Sequence, residues 1–225
     1  MEASTCTTPA RRHHRPMVRQ CWTMALPLTL DDVRRALANG AVTRFRRLAP
    51  IRKAAVAAIL RERPAGLEML FIRRAEHPRD PWSGHIGWPG GRVEEHDADT
   101  RAAALRETRE ELGLDLAAHG DFLGALSECR THLRRKPAPR AVAPYVFALR
   151  DEVELRLNAE VQEVIWVPLA VLLDRAARGT MRWTWRGVPL VMPCIRCGEH
   201  EIWGLTLHMV DEFLELLRDG RIDAV

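Results

Sequence analysis

Three glutamates stand close together near the middle of the chain and could act on one ligand. Glu107, Glu110 and Glu111 follow one another at spacings of three and four residues, which bring side chains onto the same face of a helix. Grouped carboxylates repel one another unless a positive charge lies between them. Hard divalent cations bind such oxygen ligands, often together with phosphate oxygens. The spacing therefore predicts a site for Mg²⁺ or Mn²⁺ that can neutralise phosphate charge and activate water.

The same segment also has an interpretation that needs no ligand. Arg106 and Arg109 lie beside the glutamates and could pair with them on a solvated, charge-rich helix. The preceding Trp-Pro-Gly-Gly turn at residues 88–91 favours the ligand instead, because its two glycines let another molecule approach the backbone closely.

A helix must position the glutamates. Asp97 and Asp99 are candidate N-caps, and Gly113 is a typical C-terminal residue. At about 100° per residue, the glutamates are expected to lie opposite an apolar face that consists of Ala102, Leu105, Thr108 and Leu112.

The remaining elements predict an α/β fold. Apolar, β-branched segments predict strands at residues 54–60, 67–72, 141–149, 163–167 and 190–195. Helical patterns occur at residues 33–38, 169–177 and 205–217. Strands and helices alternate irregularly, which indicates a mixed sheet with helices on both faces.

Composition limits the classes of protein to consider. The net charge is +4, from 34 basic and 30 acidic residues, which suits an anionic small molecule better than a nucleic acid. No apolar run approaches the roughly 20 residues of a membrane helix, so we expect no membrane partner. The five scattered cysteines indicate a reducing compartment, and we expect a cytoplasmic protein.

The sequence also predicts how the chain is divided. We expect residues 1–23 to form a weakly ordered basic arm, followed by a single domain over residues 24–225.

Residues 91–114 resemble the sequence signature of the Nudix hydrolases. The chain matches it at Arg106, Glu107, Glu110, Glu111 and Gly113. Thr108 occupies a position that is usually aliphatic, and Asp97 stands where an acid is expected in the spacer. That spacer is one residue longer than the common form, which is a feature of the coenzyme A diphosphatase branch.

The resemblance to that branch extends upstream and downstream of the signature. Arg74, Arg79, Gly84 and the turn at residues 88–91 look like its substrate motif, although Trp88 replaces the usual Phe and one extra residue precedes Gly84. Residues 158–169 and 202–206 are also similar to it. The resemblance implies an α/β/α sandwich with a mixed sheet.

The resemblance also implies residue roles. Glu107, Glu110, Glu111 and the Gly91 carbonyl would hold Mg²⁺ or Mn²⁺, and Arg106 would orient the glutamates. Glu107 is our first choice as the general base, because a positioned carboxylate can accept a proton from water. A later loop commonly supplies one more acid to the metal site, for which Glu160 is a better candidate than Glu163. The expected substrate contacts are Arg74, Arg79, His85 and Trp88, with Trp88 equally suited to a role in the core.

By resemblance, we expect hydrolysis of coenzyme A or acyl-coenzyme A to 3′,5′-ADP and (acyl-)4′-phosphopantetheine. Nucleotide sugars, ADP-ribose and dinucleotides are the alternative substrates for the same chemistry. A Nudix-like module without activity would be expected to lose metal-site acids, whereas all of them are present here. Nucleic-acid binding through the basic arm would show a steep dependence on salt. The oligomeric state stays open, with a homodimer as one alternative.

Overall fold

The computed structural model describes residues 28–45, 53–76, 83–131, 141–185 and 187–222. The predicted N-terminal arm and Arg79 lie outside the described residues. The helices are α1 (Leu30–Asn39), α2 (Thr100–Leu112), α3 (Leu116–His119), α4 (Leu169–Leu173) and α5 (Gly204–Ile222). The strands are β1 (Lys53–Arg63), β2 (Gly66–Arg74), β3 (Ile86–Gly87), β4 (Gly90–Arg92), β5 (Gly120–Ala125), β6 (Cys129–Arg130), β7 (Ala141–Leu149), β8 (Val161–Pro168), β9 (Arg178–Trp185), β10 (Val188–Cys197) and β11 (His200–Trp203).

The main sheet is mixed, as the sequence predicts. Its central order is β3-β2-β1-β7-β5, with β4 paired to β1, β6 to β7 and β8 to β2. β1 and β7 run parallel, while the other pairs are antiparallel. On one edge of β1, its final residues pair with β2 and its first residues pair with β4. This arrangement brings the glycine turn into the centre of the sheet.

Helices cover both faces of this sheet, which confirms the predicted α/β/α sandwich. Successive side chains of a strand point to opposite faces. Ile59 of β1 accordingly packs in the cluster that contains residues of α2 and α3, whereas Ala58 and Leu60 pack in the cluster that contains residues of α1 and α5. Burial of both faces also explains why the sequence of β1 is apolar over most of its length.

A smaller sheet follows, with the order β11-β10-β9. The predicted helix over residues 169–177 is wrong in its second half. α4 ends at Leu173, and a separate 3-10 helix spans Arg175–Ala177. The physical reason is Asp174, whose extended backbone ends one helix while its side chain accepts the Ala176 N–H at 2.8 Å and begins the next. None of the helices among the described residues is long and apolar enough to cross a membrane.

Candidate active site

α2 carries the glutamates and is capped at both ends. Asp99 accepts the backbone N–H of Ala102 at 2.7 Å, which satisfies one of the donors left free in the first turn. Gly113 ends the helix with a φ of 65°, a conformation that favours glycine. The helix is thereby fixed in length, so the spacing of its side chains is fixed as well.

The structure corrects one prediction about this helix. Glu111 was expected beside Glu107 and Glu110 on the face opposite the apolar stripe. Its side chain is buried instead, with the residue only 2% exposed, while Glu110 is exposed. The packed face also includes Ala103 and Ala104. The reason is tertiary: the glycine turn lies against this side of α2 and binds the carboxylate directly.

Glu111 is held in the interior by a backbone hydrogen bond. The N–H of Gly90 donates to Glu111 Oε2 at 2.8 Å. Burial raises the pKa of Glu111 to about 7, against the opposing effects of that hydrogen bond and of the Arg74 charge. The negative charges of Glu107 and Glu160 raise it further. A buried carboxylate among other carboxylates is a group that a bound cation would stabilise.

The glycine turn fits closely between β1 and α2. Gly90 has a φ of 146°, and a Cβ there would lie 2.2 Å from the carbonyl oxygen of Ala55. At Gly91, a Cβ would lie 2.4 Å from the carboxyl carbon of Glu107. The Glu107 carboxylate therefore rests on the backbone of Gly91, and the two predicted ligands are brought together.

Arg106 orients the glutamates through a set of hydrogen bonds. One guanidinium nitrogen, Nη1, donates to Glu107 at 3.0 Å and to Glu110 at 3.1 Å. The other edge donates to both oxygens of Asp97, at 3.1 and 3.0 Å, and Nη2 also donates to the Arg92 carbonyl. A guanidinium held by a bidentate carboxylate is fixed in direction. This geometry matches the orienting role that the resemblance implies for Arg106.

Asp97 is a site residue that the sequence reasoning did not include in the site. Its side chain is only 3% exposed, and hydrogen bonding to Arg106 holds the pKa of Asp97 below its usual value. Its position as an acid in the spacer was the available signal. Asp97 also accepts the N–H of Glu94 at 2.8 Å, so the loop before α2 is tied to the same residue.

The raised pKa of Glu107 has a separate cause from its hydrogen bonding. Burial raises the pKa of this carboxyl, the Arg106 charge and hydrogen bond oppose the shift, and Glu110 and Glu160 add to it. Glu160 therefore lies near enough to act on both Glu107 and Glu111. Its backbone carbonyl accepts the Ala75 N–H at 2.8 Å, which anchors the turn before β8. Glu163 is directed elsewhere, since its carboxylate lies 3.7 Å from the His200 ring.

The donor set suits a hard divalent cation. Within the part of the chain that the structure describes, no three His, Cys, Asp or Glu side chains already converge as a metal cage, and Arg106 bridges Glu107 and Glu110 instead. Mg²⁺ usually takes only a few protein oxygens together with water and substrate phosphate. Glu107, Glu110, Glu111 and the Gly91 carbonyl are oxygen ligands of this kind. Burial is the main cause of the raised pKa values of Glu107 and Glu111, and neighbouring carboxylates add to it, so a bound cation would stabilise the charged form of both groups.

The predicted substrate contacts are distributed over two sides of β2. Arg74 ends β2 and acts electrostatically on Glu111, while its backbone N–H donates to the His85 carbonyl at 3.0 Å. Trp88 is only 4% exposed and packs near Phe71, with ring centroids 6.2 Å apart. That placement favours the role in the core that the sequence left open for Trp88.

Comparison with known proteins identifies the family. The NUDIX domain model matches residues 51–184, which is more than half of the chain and includes the glycine turn and all of α2. The chain belongs to the Nudix family. The match ends before β10, so this Nudix protein continues with β10, β11 and α5 beyond the segment that the family model covers.

Several curated relatives are coenzyme A diphosphatases by name. This Nudix protein is 33% identical to the mitochondrial coenzyme A diphosphatase NUDT8 of Homo sapiens over 156 residues, which are 68% of this chain and 64% of that protein. It is 30% identical to the peroxisomal coenzyme A diphosphatase NUDT7 of Mus musculus over 175 residues, which are 76% of this chain and 70% of that protein. The chain thus spans about two thirds of the length of these relatives.

Among solved structures, the MutT protein of Methanosarcina mazei Go1 is similar to this chain with a TM-score of 0.48. The two sequences are 22% identical, and the similarity covers 75% of this chain and 94% of that one.

Proposed function

We propose that this Nudix protein hydrolyses the diphosphate linkage of coenzyme A or acyl-coenzyme A, with Mg²⁺ or Mn²⁺, to 3′,5′-ADP and (acyl-)4′-phosphopantetheine. One observation carries the chemistry: Arg106 is fixed by Asp97 and binds both Glu110 and Glu107, and the Glu107 carboxylate lies against Gly91. The choice of coenzyme A among diphosphates is supported by the names of the curated relatives and by the sequence motif around Arg74.

The residues of the site have different roles in the proposed reaction. Glu107, Glu110 and Glu111 would hold the divalent cation, which supplies charge neutralisation and a more acidic water when bound. Glu107 accepts the proton of the attacking water, because it is the less exposed of the two glutamates that Arg106 orients. Water attacks one phosphorus of the linkage, the bridging P–O bond breaks, and the other phosphate leaves with the bridging oxygen. Glu160 would add a further carboxylate to the cation site.

A substrate panel tests this proposal. Coenzyme A, an acyl-coenzyme A, ADP-ribose, a nucleotide sugar, NADH and a dinucleoside polyphosphate are incubated with Mg²⁺ or Mn²⁺, and the products are resolved by mass. We expect 3′,5′-ADP from coenzyme A, at a kcat/KM above that for every other member of the panel. Preferred cleavage of another member would overturn the choice of substrate and retain diphosphate chemistry. If no member of the panel is cleaved, both the choice of substrate and the diphosphate chemistry are overturned.

A substitution tests the assignment of the site. Glu110→Gln removes the charge of a half-exposed carboxylate and keeps its shape, so the fold should persist while activity falls by about 10²-fold or more. Glu95→Gln is the matched control, because Glu95 is an exposed residue of the loop that precedes α2. Glu95→Gln should retain full activity. Turnover by Glu110→Gln equal to that of the control would show that α2 does not carry the reaction.

A further inference from the structure

A cavity lies on the opposite side of β2 from α2. It has a volume of about 300 Å³ and is lined by the end of β2, by residues 84–86 and by side chains of β9 and β11. The two faces of β2 pack against different helices: Ile72 belongs to the cluster with α2, whereas Phe71 belongs to the cluster with α5. Arg73 lines the cavity and lies on the same face of the strand as Phe71, because alternate residues of a strand share a face. A volume of this size is at the lower end of small-molecule sites.

Three rings form the wall of this cavity. The His85 ring lies 4.6 Å from the Trp203 ring, and the Trp183 ring lies 4.9 Å from the Trp203 ring. Trp203 is 8% exposed, so it is anchored in the protein, while Trp183 and His85 are half-buried. Partly exposed aromatic faces of this kind are the usual surfaces on which a base stacks.

Polar side chains line the cavity together with the rings. Arg73 and His200 supply hydrogen-bond donors, and Glu199 and Glu201 supply acceptors. An apolar acyl chain would remove water from these groups without replacing its hydrogen bonds, which is costly. A planar base that carries an exocyclic amino donor and ring nitrogen acceptors satisfies both kinds of group. The lining therefore favours an aminopurine over an aliphatic chain.

The cavity is joined to the reaction site by consecutive residues. Arg73 lines the cavity, and Arg74 acts on Glu111 from the other side of the strand. Adjacent Cα atoms are about 3.8 Å apart, so the two sites share one strand end. Glu199, Glu201 and Trp203 also lie beyond residue 184, where the match to the family model ends. The cavity is thus built between the family's common domain and the C-terminal segment of this chain.

We propose that this cavity binds the adenine base of the substrate, while the diphosphate lies beside α2 around the end of β2. This inference rests on the proposed function, because it assigns the base of the same substrate. Together with the proposed function, it favours diphosphates of adenosine over those of a base without an exocyclic amino group. Coenzyme A and ADP-ribose belong to that class, whereas a uridine diphosphate sugar does not.

Kinetics of a substituted enzyme test the proposal. Trp183→Ala removes a half-buried ring from an edge strand, so KM for coenzyme A should rise between about 5-fold and about 100-fold, as for loss of one stacked base. The kcat should stay unchanged, since the ring does not touch the reacting atoms. Phe122→Ala is the matched control, because Phe122 is an exposed aromatic residue of β5 outside the cavity. An unchanged KM in Trp183→Ala would overturn the proposal.

A binding measurement separates this inference from the proposed function. Saturation-transfer difference NMR with the wild-type chain and a chelator compares adenosine, inosine and pantetheine, none of which can be hydrolysed at a diphosphate. We expect signals from the adenosine base protons, weaker ones from inosine, and loss of the difference in Glu199→Gln/Glu201→Gln. Adenosine binding without any hydrolysis would support the cavity and refute the function. Hydrolysis of coenzyme A with signals from pantetheine alone would support the proposed function and refute the cavity as the site of the base.

Discussion

Substitution by alanine should affect different properties at the two adjacent glycines: activity at Gly91 and stability at Gly90. At Gly91, a Cβ would meet the carboxyl carbon of Glu107 at 2.4 Å, whereas ordinary contact begins at 3.4 Å. The carboxylate is the far end of a flexible side chain, so it can move by about 1 Å to make room. Gly91→Ala should therefore leave the fold intact and displace a residue of the reaction site.

The expected magnitude follows from that displacement. A misplacement of about 1 Å at a reacting group costs about 10²-fold in rate, which corresponds to about 2.7 kcal/mol in the activation free energy. We expect kcat/KM of Gly91→Ala to fall by this factor, with the free energy of unfolding within about 1 kcal/mol of wild type.

Gly90→Ala should show the complementary result. There the Cβ would lie 2.2 Å from the backbone oxygen of Ala55, at a φ of 146°. Neither the strand nor the dihedral angle can yield cheaply, so the free energy of unfolding should fall by about 3 kcal/mol or more.

The assay combines urea unfolding followed by circular dichroism with hydrolysis of coenzyme A for both variants. Retained activity in a folded Gly91→Ala protein would refute the reasoning that the close contact between Gly91 and Glu107 positions a carboxylate needed for the reaction. Equal loss of stability in both variants would show that the turn is simply close-packed throughout.

Further substitutions test the supporting residues. Asp97→Asn keeps the shape of the side chain that binds Arg106 but removes its charge, so kcat should fall by about 10- to 100-fold, as for other residues that orient a metal site. A pH–rate profile with shifted limbs is expected too, and an unchanged profile and kcat would contradict the orienting role. Glu128→Ala leaves the buried ammonium of Lys53 without its carboxylate, which lies 2.7 Å away. Its free energy of unfolding should therefore fall by about 3–5 kcal/mol. The exposed control Glu154→Ala should stay within about 0.5 kcal/mol of wild type in the same urea titration.

The sequence by itself determined the features that depend on neighbouring residues. The caps of α2 at Asp99 and Gly113 follow from local hydrogen bonding and backbone preference. The β1–β2 hairpin and the mixed sheet follow from the pattern of apolar segments and turns. The cluster of Glu107 with Glu110 follows from helical spacing, and it indicates metal-dependent chemistry without any knowledge of tertiary contacts.

Tertiary structure alone decided how each residue of the site is used. Helical periodicity placed Glu111 toward solvent, but the turn at Gly90, 21 residues earlier, binds it in the interior. Glu160 acts on the α2 carboxylates from a turn more than 40 residues after the helix, and Trp183 and Trp203 meet His85 across the end of β2. A sequence pattern reports which faces of an element are apolar, because periodicity is a local property. It does not report which distant backbone group lies opposite a given side chain, since only packing of the whole chain sets that distance.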